Sequence, residues 1–160
     1  MIIDGVVTHE RWYPHPIEQV RDAITNPAAL ATWLMPNDAV SGRRVDFVFD
    51  GGEHYGAIAV ELVEQVPLRL LRWTWTIGTT RTAVSIRLTV VKDGTALHLE
   101  HRALDNADAP EFDEGWASKL DHDLTEVLTG RRRIADVAVR NGLLRHPAFT
   151  RANPAEENTP

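Results

Sequence analysis

His101 has the side chain best suited to chemistry. It follows Leu97 and Leu99 on one alternation of a predicted strand, so it should point inward. An inward imidazole can orient a ligand or move a proton near neutral pH. A core histidine satisfied by the backbone or by a helix side chain explains the same pattern. His98 and Glu100 fall on the other alternation and should be solvated. His98 and His101 therefore face opposite ways and cannot share a metal. No His-x-x-x-His or His-Glu-x-x-His string occurs on a predicted helix, so no metal is expected. Asp121-His-Asp123 belongs to the polar side of a helix and reads as a solvated face. His54-Tyr55 sits at a hairpin, on the surface or at a rim. Glu61 and Glu64 form no hydrolytic pair. Asp50-Gly-Gly-Glu53 has hairpin composition without the Lys-Ser/Thr of a phosphate loop, and no Gly-x-Ser-x-Gly elbow is present. No cofactor is expected. The chain has no cysteine, which excludes disulfides and thiolate chemistry.

The aromatic residues make the other candidate set. Trp33, Phe47, Phe49, Trp73, Trp75 and Trp116 all fall on segments whose periodicity turns them inward. Such side chains can line a pocket for a flat or greasy ligand, or simply fill a core. With His101 and Leu120 they form the candidate ligand-binding residues.

The element that must position them is a long amphipathic helix over 108–128. Trp116, Leu120, Leu124 and Leu128 recur every fourth residue, and Phe112 extends the stripe by a turn. Asp108 with Glu111 reads as a capping box, Pro110 suits the first turn, and Gly130 suits a left-handed stop. This helix needs an apolar surface to lie on. The preceding chain supplies strands: 4–13, a stretch from about 42 to 50, 55–65, 68–77, 81–92 and 95–104. In the fifth, Thr82, Val84, Ile86, Leu88 and Val90 should face in. Asp50-Gly-Gly and Lys92-Asp-Gly mark hairpins, so the sheet is antiparallel. Two short helices, 17–25 and 28–34, follow the first strand and are bounded by Pro16, Pro27 and Pro36. The predicted class is α+β, a sheet of about six strands under one long helix. One domain over 1–130 is followed by an extension over 131–160. There a short helix over 131–141 precedes Leu143, Leu144 and Phe149, which dock on the body or on a second subunit. The Pro/Asn/Glu-rich tail from Asn153 should be frayed.

Bulk properties narrow the function. A net charge of −6 lacks the basic field of a nucleic-acid binder, and Arg131-Arg-Arg133 reads as a solvated helix end. No apolar run approaches the ~20 residues of a membrane span, and the first residues lack a signal-peptide pattern. A cytoplasmic location is expected.

Several blocks resemble a known family. Pro16-Ile-Glu-Gln-Val-Arg-Asp-Ala-Ile-Thr-Asn-Pro27 leading to Trp33 is similar to the opening helix of START-like (SRPBCC, birch-pollen-allergen-like) proteins. Trp73-Thr-Trp75, Gly94-Thr-Ala-Leu-His-Leu-Glu-His101 and Gly115-Trp-Ala-Ser-Lys-Leu120 resemble later blocks. The branch they look most like is the bacterial homologues of the activator of heat-shock-protein ATPase. Arg21, where many relatives carry tryptophan, and the chain after Gly130 depart from the pattern. The resemblance implies a helix-grip fold with an apolar cavity between sheet and helix. It implies binding of a small apolar or aromatic ligand. The alternatives are a cavity-based cyclase, dehydratase or hydrolase with His101 as acid or base, and a co-chaperone-like interaction module. The apolar residues past the core suggest a homodimer through the C-terminal extension.

Overall fold

The computed structural model describes residues 1–41, 43–51 and 54–149, and the side chains of 49–51 and 54–57 lie outside that description. The chain runs β1 (Ile2–Ile3), β2 (Val6–Tyr13), α1 (Ile17–Thr25), α2 (Pro27–Trp33), β3 (Asn37–Ala39), β4 (Arg44–Gly51), β5 (His54–Val66), β6 (Leu70–Ile77), β7 (Thr80–Val91) and β8 (Gly94–Arg102). Next comes the long helix: α3 (Ala109–Ser118), a π turn (Lys119–Asp123) and α4 (Leu124–Leu128). A 3-10 turn (Ile134–Asp136), β9 (Ala138–Arg140), β10 (Leu143–Arg145) and a 3-10 turn (Pro147–Phe149) follow.

The strands form one antiparallel sheet in the order β1-β2-β8-β7-β6-β5-β4-β3-β10-β9. It has ten strands where about six were expected. The six are β2 and β4 to β8. The additional four, β1, β3, β9 and β10, are only two or three residues long, too short to leave a two-residue period in the sequence. The sheet grips the long helix, as a helix-grip fold requires. Trp116, Leu120, Leu124 and Leu128 are all buried, with α4 packed against α1 and α2. Val20, Ala23 and Ile24 of α1 and Leu30 and Trp33 of α2 complete the core. Val90, beside the β7–β8 turn, is 69% exposed rather than inward, because the alternation there runs past the covered part of the sheet. No helix among the described residues is long and apolar enough to cross a membrane.

The helix start differs from the expected capping box. Asp108 is itself in helical conformation and its side chain makes no capping bond; the Asp105 carbonyl accepts from the N–H groups of Asp108 and Ala109 instead. The π turn has a structural consequence. A strict four-residue repeat drifts about 40° per step around a helix of 3.6 residues per turn. The wider turn over Lys119–Asp123 absorbs part of that drift and keeps the leucines on the buried side. There Leu124 N–H bonds the Lys119 carbonyl, five residues back. The Leu120 carbonyl accepts instead from the buried Tyr13 hydroxyl at 2.8 Å.

The expected helix over 131–141 is a single 3-10 turn and a strand. Gly142, at φ 80°, turns β9 into β10, and Leu144 pairs with Asn37 of β3. Leu143 and Leu144 thus dock on their own sheet. Arg132 is not a solvated helix end. It bonds Asp123 at 2.9 Å, Glu126 at 2.8 Å and the Thr32 carbonyl at 3.1 Å. Asp123, placed on a solvated face by the sequence, also meets Lys119 at 3.3 Å and is only partly exposed. Buried His146 bonds the Arg133 carbonyl and accepts from Ala148 N–H, both at 3.0 Å, which holds the extension against the body. The tail from Asn153 lies outside the described residues.

Candidate functional site

A cavity of about 190 Å³ lies between the inner face of β4–β7, the helices α1 and α2, and Trp116. Strand alternation builds its walls. Val45 and Phe47 come from β4, Val60 and Leu62 from β5, Trp73 and Trp75 from β6, and Val84 and Ile86 from β7. Ile24, Leu30, Trp33 and Leu34 close it from the helices. Its inner end is buried, whereas Ser41, Arg43 and Gln65 at the other end are exposed and form a mouth.

Of the residues singled out from the sequence, Trp33, Phe47, Trp73, Trp75 and Trp116 meet at this cavity. The backbone of Phe49 continues β4 opposite Gly56, while its side chain lies outside the described residues, as do those of His54 and Tyr55. The aromatics pack on one another rather than lining the space singly. Trp75 stands 5.6 Å from Phe47 and 5.3 Å from Trp116, ring centre to ring centre, both tilted. Trp33 is fixed by its Nε1–H donating to the Ala23 carbonyl at 2.8 Å.

His101 and Leu120 are buried but do not line the cavity. His101 lies behind its wall. Trp116 Nε1–H donates to His101 Nδ1 at 3.0 Å. Nδ1 is therefore the acceptor, and the ring proton sits on Nε2. Nε2–H donates to Thr82 Oγ1 at 2.8 Å, and the Thr82 hydroxyl donates to the Trp75 carbonyl at 2.8 Å. Burial pushes the imidazole pKa down to about 3 from 6.5. Both nitrogens are thus committed to the neutral form. The inward direction read from the sequence is right, and the partner is a helix side chain. The ring orients Trp116 and has no free lone pair or proton to offer.

A second hollow of about 210 Å³ lies across the Trp75–Trp116 pair, lined also by Leu34, Met35, Phe112 and Lys119. The two indoles form a partition between the spaces. Burial holds the Lys119 ammonium below its usual range, opposed by Asp123.

The other polar clusters stand apart from the cavity. His98 bonds Glu10 at 2.9 Å and Glu100 at 3.2 Å on the outer face, as alternation predicted. Glu100 is held below the usual carboxylate range by hydrogen bonds from Arg102 and then from His98. His9 was missed. It is buried on the inner side of β2, 2.9 Å from Asp113 Oδ1, and burial lowers its pKa. Its alternation with Val7 and Tyr13 was the available signal. No three His, Asp or Glu side chains among the described residues converge on a metal position.

Comparison with known proteins agrees with this fold. The family model for Activator of Hsp90 ATPase homolog 1-like protein matches residues 14–129. The crystal structure of MLL2253 from Mesorhizobium loti is 26% identical over 79% of this chain and 97% of its own, with a TM-score of 0.67. CalU16 from Micromonospora echinospora is 24% identical over 76% of this chain and 72% of its own, with a TM-score of 0.61. The Aha1 dimer from Colwellia psychrerythraea is 19% identical over 77% of this chain and 95% of its own, with a TM-score of 0.63. The last two likenesses are of fold alone. Among curated proteins none matches the chain.

Proposed function

The chain belongs to the Activator of Hsp90 ATPase homolog 1-like family, within the START-like superfamily, and from that premise we propose that it binds a small apolar or aromatic ligand in its internal cavity. The observation that carries this reading is the cavity of about 190 Å³ walled by four tryptophans and Phe47. An apolar cavity of about 150 Å³ accepts benzene. The space here suits one ring with a short substituent and is too small for a long lipid chain. Ring stacking and removal of apolar area from water, at ~25 cal/mol per Å², drive binding. His101 serves as a positioning residue, through Trp116. The acid–base role weighed for it finds no support in its geometry.

The five tryptophans supply the test, because Trp12 lies on the outer face of β2 and is 53% exposed. In a nitrogen-15 NMR titration with toluene, the indole N–H signals of Trp33, Trp73, Trp75 and Trp116 should shift and saturate while that of Trp12 stays. No shift, or equal shifts at all five, would overturn the reading.

A homodimer through the C-terminal extension is a second reading, favoured by one observation. Strand β9 ends the sheet with Ala138, Val139 and Arg140 all exposed, and Val139 is 68% exposed. An unpaired edge can accept another strand. Light scattering behind a sizing column should then give twice the chain mass, and Val139→Lys should return it to monomer. A monomer at all concentrations tested would reject it.

A further inference from the structure

We propose that the cavity takes a single aromatic ring carrying a carboxylate, with Arg43 at the mouth reading the charge; this rests on the ligand-binding reading above. Arg43 lies two residues before Val45 on the same alternation, and its carbonyl accepts from Leu62 N–H at 2.8 Å. It therefore stands opposite Leu62, a cavity residue, and cross-strand neighbours share a face. Among the described lining residues Arg43 is the one that carries charge, and none is acidic. That is notable for a chain of net charge −6. No carboxylate among the described residues is within ion-pair distance of the Arg43 side chain. Its neighbour Arg44, by contrast, is paired with Asp46 at 3.2 Å.

A defect in the sheet supports the same conclusion independently. Ile58, Val60 and Leu62 share one face of β5, and Val60 and Leu62 line the cavity, so unbroken alternation would bring Glu64 there next. The β5–β6 register instead slips between Leu62 and Glu64. The bulge turns Glu64 outward onto Arg72 at 2.8 Å and brings Gln65 to the cavity mouth. One extra residue thus removes a carboxylate from the mouth and replaces it by a neutral amide. Bulges at a site rim re-aim side chains in this way. The mouth presents a guanidinium and an amide, both able to donate hydrogen bonds to a carboxylate. The buried end accepts only the apolar part of the ligand.

The probes are 3-phenylpropionate and its primary amide, which share the ring and differ in charge. Both are titrated by the indole N–H shifts used for toluene. The acid should bind about fivefold more tightly than the amide, the ratio that the upper end of exposed ion-pair energies gives. Arg43→Gln should abolish the preference, so that the acid and the amide bind with equal affinity. Gln65→Glu, which neutralises the mouth beside Arg43, should remove it too. Arg43 and Gln65 are exposed, so both variants should keep the wild-type dichroism spectrum. Equal affinities in the wild type, with toluene still binding, would overturn this inference and leave the cavity reading intact. A preference that survives Arg43→Gln would overturn it too. If neither probe nor toluene shifts the four inner indoles, both readings fall.

Discussion

Protonating His101 should destabilise this fold, because the ring is sealed in its neutral form. Its pKa is near 3 in the folded chain and 6.5 when exposed. The unfolded chain therefore binds a proton that the folded chain refuses across this window. Stability from this group is complete above pH 6.5 and declines as pH falls towards 3. Each pH unit in that window costs about 1.4 kcal/mol. Between pH 7.5 and 4.5 the loss is about 2.7 kcal/mol, against a total of about 5–15 kcal/mol for a typical domain. The assay is urea unfolding at half-unit pH steps on the wild type and on His101→Gln. Glutamine retains an acceptor for Trp116 Nε1–H and a donor for Thr82, and it does not titrate. The variant should start less stable at pH 7.5 and close the gap by about 2.7 kcal/mol at pH 4.5. Subtracting the two profiles cancels buried His9 and the carboxylates, which titrate in both proteins. Parallel profiles down to pH 4.5 would refute the assignment of His101 as a neutral, doubly bonded core residue.

Tyr13→Phe should cost about 1–3 kcal/mol in the same denaturant assay, because the Leu120 carbonyl at the π turn is left buried without its donor; a loss under about 0.5 kcal/mol would mean that water replaces the phenol. Gly94→Ala should destabilise by about 2 kcal/mol or more, since a Cβ there would collide with the Tyr13 carbonyl oxygen and stand 2.8 Å from Trp12 Nε1. A melting temperature within about 2 °C of wild type would show that the β2–β8 pairing beside Gly94 relaxes cheaply. Trp33→Phe should cost about 1–3 kcal/mol by orphaning the Ala23 carbonyl, and should also weaken toluene binding at the cavity; unchanged toluene affinity in a folded variant would remove Trp33 from the ligand contacts.

The parts of the architecture legible in the sequence are those written in period. The proline-bounded α1, the alternation of β4 to β8 and the four-residue stripe of the long helix each repeat often enough to fix a face. That is why Trp33, Phe47, Trp73, Trp75 and Trp116 were placed at the site from sequence. The illegible parts are those a period cannot encode. Strands of two or three residues have no alternation to read. The run Leu62-Val-Glu-Gln65 does contain a phase slip, two apolar residues followed by two polar ones, but nothing local says which residue is the extra one. Arg132 and Asp123 look like solvated charges until the extension folds back and pairs them. His101 was legible in direction but not in role, because role depends on Trp116 and Thr82, neighbours that only the folded sheet and helix bring together.

On the proposed ligand-binding reading, the same hydrogen-bond chain would set which ligands fit. Trp75 and Trp116 divide a space of about 190 Å³ from another of about 210 Å³. A ligand that spans both spaces, rather than extending through the mouth, would have to turn the Trp116 indole. Turning it breaks the bond to His101 Nδ1 and leaves two buried polar groups unpaired, at about 1–3 kcal/mol each. A two-ring ligand gains apolar contact in the second chamber but must offset that cost first. On that reading the two indoles would discriminate by size through a polar bond that never touches the ligand. In His101→Leu, which leaves Trp116 Nε1–H without its acceptor, that bond is already lost, and bicyclic ligands should gain affinity relative to toluene. The readout is the ratio of naphthalene to toluene affinity in the two proteins, measured by the same indole shifts. An unchanged ratio in a folded variant would show that the indoles are held by packing alone.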